Sequence, residues 1–84
     1  MKAKYEIAIL KILSKVITLE KIAELRKIQN NVVLLYDFRD KLLSEVTDHA
    51  MQIKCLPGEE SEIMTFSILM TESYLDNRIK SKNL

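Results

Sequence analysis

One proline and one glycine stand in the whole chain, and they are neighbours: Pro57-Gly58. Residues 1–56 and 59–84 contain neither, so nothing on either side breaks a helix by backbone chemistry alone. A single glycine also removes a set of functions. Phosphate-cradling loops, dinucleotide fingerprints and nucleophile elbows need several glycines at set spacings, and one residue cannot supply them. The zincin spacing is missing as well, and no stretch reads as a strand. The chain is therefore expected to be helical and to act through its surfaces.

The apolar residues recur at helical spacing. Tyr5, Ile9, Ile12, Leu13 and Val16 mark one face of a first segment over residues 3–17, with Lys4, Lys11 and Lys15 opposite. Three β-branched residues in succession, Val16, Ile17 and Thr18, are mediocre helix formers and predict a break there. Thr18 offers a capping hydroxyl, and Glu20 falls in the first turn where the helix dipole favours it. A second segment, 19–29, carries Leu19, Ile22, Ala23, Leu25 and Ile28. The polar pair Asn30-Asn31 predicts the next connection.

The third segment, 32–55, is the longest, about 35 Å if helical throughout. Val32, Leu35, Leu42, Val46 and Ile53 share one face, with Tyr36, Leu43 and Ala50 beside it. A helix that long in so small a domain is expected to lay part of its surface on another chain. Leu56-Pro57-Gly58 is expected to end it. Glu59, Glu60 and Glu62 then give a fourth segment, 60–79, a negative first turn. Its stripe is expected to be Ile63, Phe66, Met70 and Tyr74, with Leu69 and Leu75 adjoining. The tail from Lys80 to Leu84 has little to bury and is expected to fray.

These segments predict one all-α domain over 1–84: a small three- or four-helix bundle organised by a long central helix. At 84 residues and 9.8 kDa the core is only marginally sufficient, and Cys55 is alone, so no internal disulfide can reinforce it. Oligomerisation is the usual remedy, and aliphatic seams rich in Ile, Leu and Val suit it. The unpaired cysteine fits a reducing, cytoplasmic setting. Lys11 and Lys15 interrupt the first apolar run, which is expected not to be a signal peptide. The longest apolar run, Val32 to Tyr36, is far below the roughly 20 residues a membrane span needs, so no membrane insertion is expected.

No cofactor, metal or catalytic constellation emerges from the remaining chemistry. His49 is the only histidine and lies six residues from Cys55, which on a helix places them about 120° apart. Zinc sites use three or four ligands, so a helix-surface histidine and a semi-buried thiol are expected instead. Thirteen basic residues against twelve acidic give a net charge of +1, too balanced for a free-standing DNA binder, and direct nucleic-acid binding is expected to be weak or absent. The third segment carries Asp37, Arg39, Asp40, Lys41, Glu45 and Asp48. Such a pattern serves as a solvated face with i,i+4 pairs such as Asp37–Lys41, or as a charged docking strip that confers specificity.

Tyr5, the step Thr18-Leu19-Glu20, and Tyr36-x-x-x-Asp40-x-x-Leu43-x-Glu45-Val46-Thr47, followed by Lys54 and Pro57, resemble the Hha family of small helical nucleoid-associated expression modulators. The resemblance covers residues 5–57. It implies a protein partner, and an aspartate matching Asp40 that contacts the oligomerisation domain of the nucleoid-structuring protein H-NS. The chain differs from the family in a shorter stretch between Glu20 and Tyr36, in spaced lysines where the family's first helix is arginine-rich, and in a longer segment after Pro57 without tryptophan. The residues expected to bind a partner are Tyr36, Asp37, Asp40, Lys41, Glu45 and Asp48. The expected function is that of a non-enzymatic regulatory protein binding another protein, such as a nucleoid or transcription factor, and also itself. A phage- or plasmid-encoded helical inhibitor or accessory protein, or a secretion-type chaperone, is the alternative, with a small enzyme last.

Overall fold

A computed structural model describes residues 3–80, with the side chains of residues 79 and 80 excepted. Four helices follow one another: α1 (Ala3–Val16), α2 (Leu19–Ile28), α3 (Val32–Ala50) and α4 (Glu60–Lys80). The described residues contain no strand. The all-α expectation stands, and the first two breaks fall where local chemistry places them. Thr18 has extended backbone (φ −78°, ψ 167°) and its hydroxyl accepts from the Lys21 amide at 3.3 Å. Asn31 caps α3 in the same way, its side-chain oxygen accepting from Leu34 N–H at 3.2 Å. Each cap satisfies an amide that the first helical turn leaves without a partner.

The helices form two layers. α3 and α4 lie antiparallel, tied near one end by Arg39 Nη2 to Asp76 Oδ1 at 3.5 Å. α1 and α2 each pack on both α3 and α4 but not on one another. α1 runs in the direction of α4. The Tyr5 hydroxyl donates to Glu59 Oε1 just before α4 begins, and Leu10 and Leu13 lie beside Met70, Ser73, Tyr74 and Asn77 further along. α2 crosses the same pair, with Lys21 reaching Glu45 of α3 and Arg26 Nη2 donating to the Arg78 carbonyl of α4 at 2.8 Å.

The core lies between the layers. Tyr5, Ile9, Leu13 and Val16 of α1, Ile17 after it, Ile22 and Leu25 of α2, Leu42, Val46 and Ala50 of α3, and Ile63 and Leu75 of α4 are all buried. The deepest line of α4 differs from the expected one. It is Ile63, Ser67, Thr71 and Leu75, an i,i+4 ridge, while Phe66, Met70 and Tyr74 are half-buried at its edge and Leu69 is exposed. Ser67 and Thr71, at the centre of this ridge, are buried although polar. Their polar atoms are satisfied within the helix, Ser67 Oγ donating to Ile63 O at 2.7 Å and Thr71 Oγ1 to Ser67 O at 2.6 Å.

Two expectations about the third segment are corrected. α3 ends at Ala50, not at residue 55, so Pro57-Gly58 does not terminate it. Tight bonds from Gln52 N–H to His49 O and Ile53 N–H to Ala50 O close the last turn, and the chain leaves the helix. Ile53 and Cys55 both pack against the core. On a helix those two positions would lie about 200° apart; in an extended segment they share a face. Outside the helix both are partly buried against the core. Pro57-Gly58 instead forms a β-turn closed by Glu59 N–H to Leu56 O, with Gly58 at φ 92°, as the third residue of a type II turn requires. The Gly58 amide donates to Glu60 Oε2, and Glu60 and Glu62 occupy the first turn of α4. Val32 is the second correction: it is exposed rather than on the packing face. The expected fraying of the tail falls, after Lys80, outside the described residues.

Candidate protein-docking surface

No residue of α3 is buried before Leu42. Its first turns instead present Val32, Val33, Leu34 and Tyr36 to solvent, with Val33 77% and Tyr36 61% exposed. Only Leu35 and Phe38 turn inward, and they are half-buried. The run of apolar residues that the sequence marks as the longest is thus mostly outside the core. The Asn31 cap starts the helix, and the apolar side chains of its first turns stay largely outside the core.

Val33, Tyr36, Asp40 and Leu43 recur at spacings of three, four and three, which places them along one outward stripe of α3. The stripe borders a crevice of about 310 Å³ between α3 and α4. Tyr36, Arg39, Asp40 and Leu43 line it from α3, and Thr71, Glu72 and Leu75 from α4. Its floor is apolar at Leu43 and Leu75. Arg39 is engaged by Asp76, whereas Asp40 and Glu72 face the opening without an ion pair among the described residues. The crevice mixes apolar and polar lining, with a carboxylate from each wall that has no ion pair among the described residues.

The six residues expected to bind a partner do not form one patch. Tyr36 and Asp40 line the crevice. Asp37 and Lys41 pair with each other at 3.1 Å further round the helix, the expected i,i+4 pair. Glu45 is turned to the α2 side, where it holds Lys21 Nζ at 3.2 Å. Asp48 is exposed. Arg39, Leu43, Glu72 and Leu75 join the site without having been singled out. Leu43 belongs to the spaced stripe and was legible; Glu72 and Leu75 reach the site only through the antiparallel return of α4.

His49 and Cys55 belong to neither wall. His49 is half-buried and its Nδ1–H donates to the Glu45 carbonyl at 2.8 Å. Partial desolvation, then the negative charges of Glu60 and Glu59, push the Cys55 thiol above its ordinary pKa, and Lys4 opposes them. Among the described residues no group of three or more His, Cys, Asp and Glu side chains is placed to hold a metal ion, and no helix is long and apolar enough to cross a membrane.

The second exposed surface lies on α1. Ile7 stands on its outer side, 54% exposed, and Leu10, 44% exposed, lies at the edge towards α4. Lys4, Lys11, Ser14 and Lys15 around them are exposed too. Lys4 rests over the Tyr5 ring, 5.0 Å from its centroid, while Lys11 and Lys15 form no ion pair among the described residues. No protein-family model matches this chain, and no curated protein or solved structure matches it either.

Proposed function

We propose that this chain is a small non-enzymatic regulatory protein that acts by binding another protein through the outer face of α3. The observation that carries the proposal is the head of that helix, where Val32, Val33 and Tyr36, within about 100° of one another round the helix, are all exposed. Exposed apolar side chains scattered singly are ordinary on a protein surface; a contiguous group beside a charged rim marks an interaction site. A helical face with an apolar stripe and a few fixed charges suits helix-in-groove recognition, in which the apolar contact supplies affinity and the charges set register. Asp40 is the docking charge of this reading, and the resemblance to the Hha family makes a nucleoid or transcription factor the partner class.

The proposal is tested by affinity capture from the native cytoplasm with the wild type beside Val33→Asp and Asp40→Asn. A protein retained by the wild type and lost by both variants, with their helicity unchanged in circular dichroism, is expected. Identical captured sets for all three forms would sink the α3 face as the docking surface.

A further inference from the structure

The two exposed surfaces have opposite chemistry. The crevice side of α3 and α4 offers Val33, Tyr36 and Leu43 with two carboxylates, Asp40 and Glu72, that form no ion pair among the described residues. The exposed side of α1 offers Ile7 and Ser14, with Leu10 at the edge towards α4, flanked by Lys4, Lys11 and Lys15 against one acid, Glu6. The whole chain is polarised in the same sense. Residues 1–30 hold seven basic and three acidic side chains, a balance of +4, and residues 31–84 hold six and nine, a balance of −3; together they give the net +1. The first group supplies α1 and α2, and the second supplies α3 and α4.

We propose that the occupant of the α3–α4 crevice is the outer face of α1 from a second copy of this chain, so that the protein associates head to tail. The proposal rests on the reading of the crevice as a docking surface and commits it to one partner. Three observations point to this pairing. Each stripe spans about 10 residues or fewer, roughly 15 Å of helix, so the two are commensurate. Both follow the three-and-four spacing by which packed helices interleave side chains. Their charges are opposite.

The other self-pairings fail on charge. Two crevices set face to face would bring Asp40 and Glu72 against their own copies, and two α1 faces would oppose lysines to lysines. Like charges in direct opposition disfavour a contact. Because the crevice and the α1 stripe are different surfaces of one chain, the contact is heterologous. A dimer formed this way keeps one free surface at each end, and further copies add until a ring closes.

The test is sedimentation velocity on the full chain over a range of concentrations, at about 50 mM and about 500 mM salt, which bracket weak and strong screening. The wild type is expected to exceed monomer mass with rising concentration at low salt and to return towards monomer at high salt. Two variants disable one surface each: Asp40→Asn with Glu72→Gln in the crevice, and Lys11→Glu on α1. All three positions are exposed, and circular dichroism checks that helicity is kept. Each variant alone is expected to associate roughly tenfold more weakly or less. Mixed in equal amounts they retain one intact crevice and one intact α1 face, so dimers form and stop.

A wild type that stays monomeric at every concentration overturns the proposal and leaves the crevice to a different protein, which the capture experiment reads separately. Self-association that ignores salt and survives both variants also overturns it, and so does a mixture that fails to form dimers. Intact self-association beside identical captured sets for wild type, Val33→Asp and Asp40→Asn would instead overturn the separate-partner reading alone.

Discussion

The two halves of α3 are built from similar residues and do different things. From Leu42 to Ala50 the helix buries a residue every fourth position, Leu42, Val46 and Ala50. From Val32 to Lys41 it buries none, although Val32, Val33, Leu34, Leu35 and Tyr36 make this the more apolar half. Hydrophobic content therefore does not say which half holds the fold together. The half covered by the other layer carries stability, and the uncovered half is available for contacts with another molecule.

The largest expected difference between the halves is energetic. Leu42→Ala should cost about 2–5 kcal/mol in urea unfolding, the range for removing a large aliphatic side chain from a packed core. A loss near zero would mean that α3 is not anchored through its second half. An intermediate effect is expected at the junction with α2. Asn31→Ala removes the cap of the exposed half and should cost about 1 kcal/mol, read as a lower melting temperature. An unchanged melting temperature would show that the head of α3 frays without consequence for the rest.

Smaller again is the link between α2 and the buried half. Lys21 and Glu45 are partly exposed, so a double-mutant cycle with Lys21→Met and Glu45→Gln should give a coupling of about 0.2–1 kcal/mol, lost at high salt. Val33→Ser, in the exposed half, should leave the unfolding midpoint within about 0.5 kcal/mol of wild type. A loss as large as that of Leu42→Ala would erase the distinction between the halves.

The smallest effect is expected beyond the helix end, at Cys55. Its folded pKa is raised, so the unfolded thiol loses its proton first as pH rises. Stability linked to this group is present below the unfolded pKa and declines as pH climbs through the higher folded one. The rate of thiol alkylation should show a midpoint above that of the unfolded chain, and Glu60→Gln should lower it. A midpoint equal to the unfolded one would show that neither the partial desolvation nor Glu60 and Glu59 raise the thiol.

Local chemistry made much of this fold legible. Tyr5, Ile9, Leu13 and Val16 repeat at helical spacing and are buried; Thr18 and Asn31 carry the side-chain oxygens that start helices, and they cap α2 and α3. The end of α3 was not legible, because no cap or breaker stands at Ala50. Beyond it Ile53 and Cys55 pack, partly buried, against a core built from residues distant in the chain. The deepest residues of α4 were hidden for a related reason. Ser67 and Thr71 are polar, and they lie in the core with each hydroxyl satisfied one turn back.

Of the candidate site, Tyr36 and Asp40 were readable as members of a charged helix with an aromatic, and they do line the crevice. Glu45 and Lys41 were read as part of the same strip, but ion pairs with Lys21 and Asp37 engage them elsewhere. Glu72 and Leu75 lie more than thirty residues from Tyr36 along the chain, and periodicity within one helix cannot bring them to it.

Helical class, the first two breaks and the absence of glycine-dependent motifs were determined by the sequence itself, since backbone propensity, capping and the count of glycines act between near neighbours. Tertiary structure decided where α3 stops, which half of it is covered, and that acids of α3 and α4 share one crevice. Those outcomes depend on what packs against a helix, and helices that meet across a core are distant in the chain.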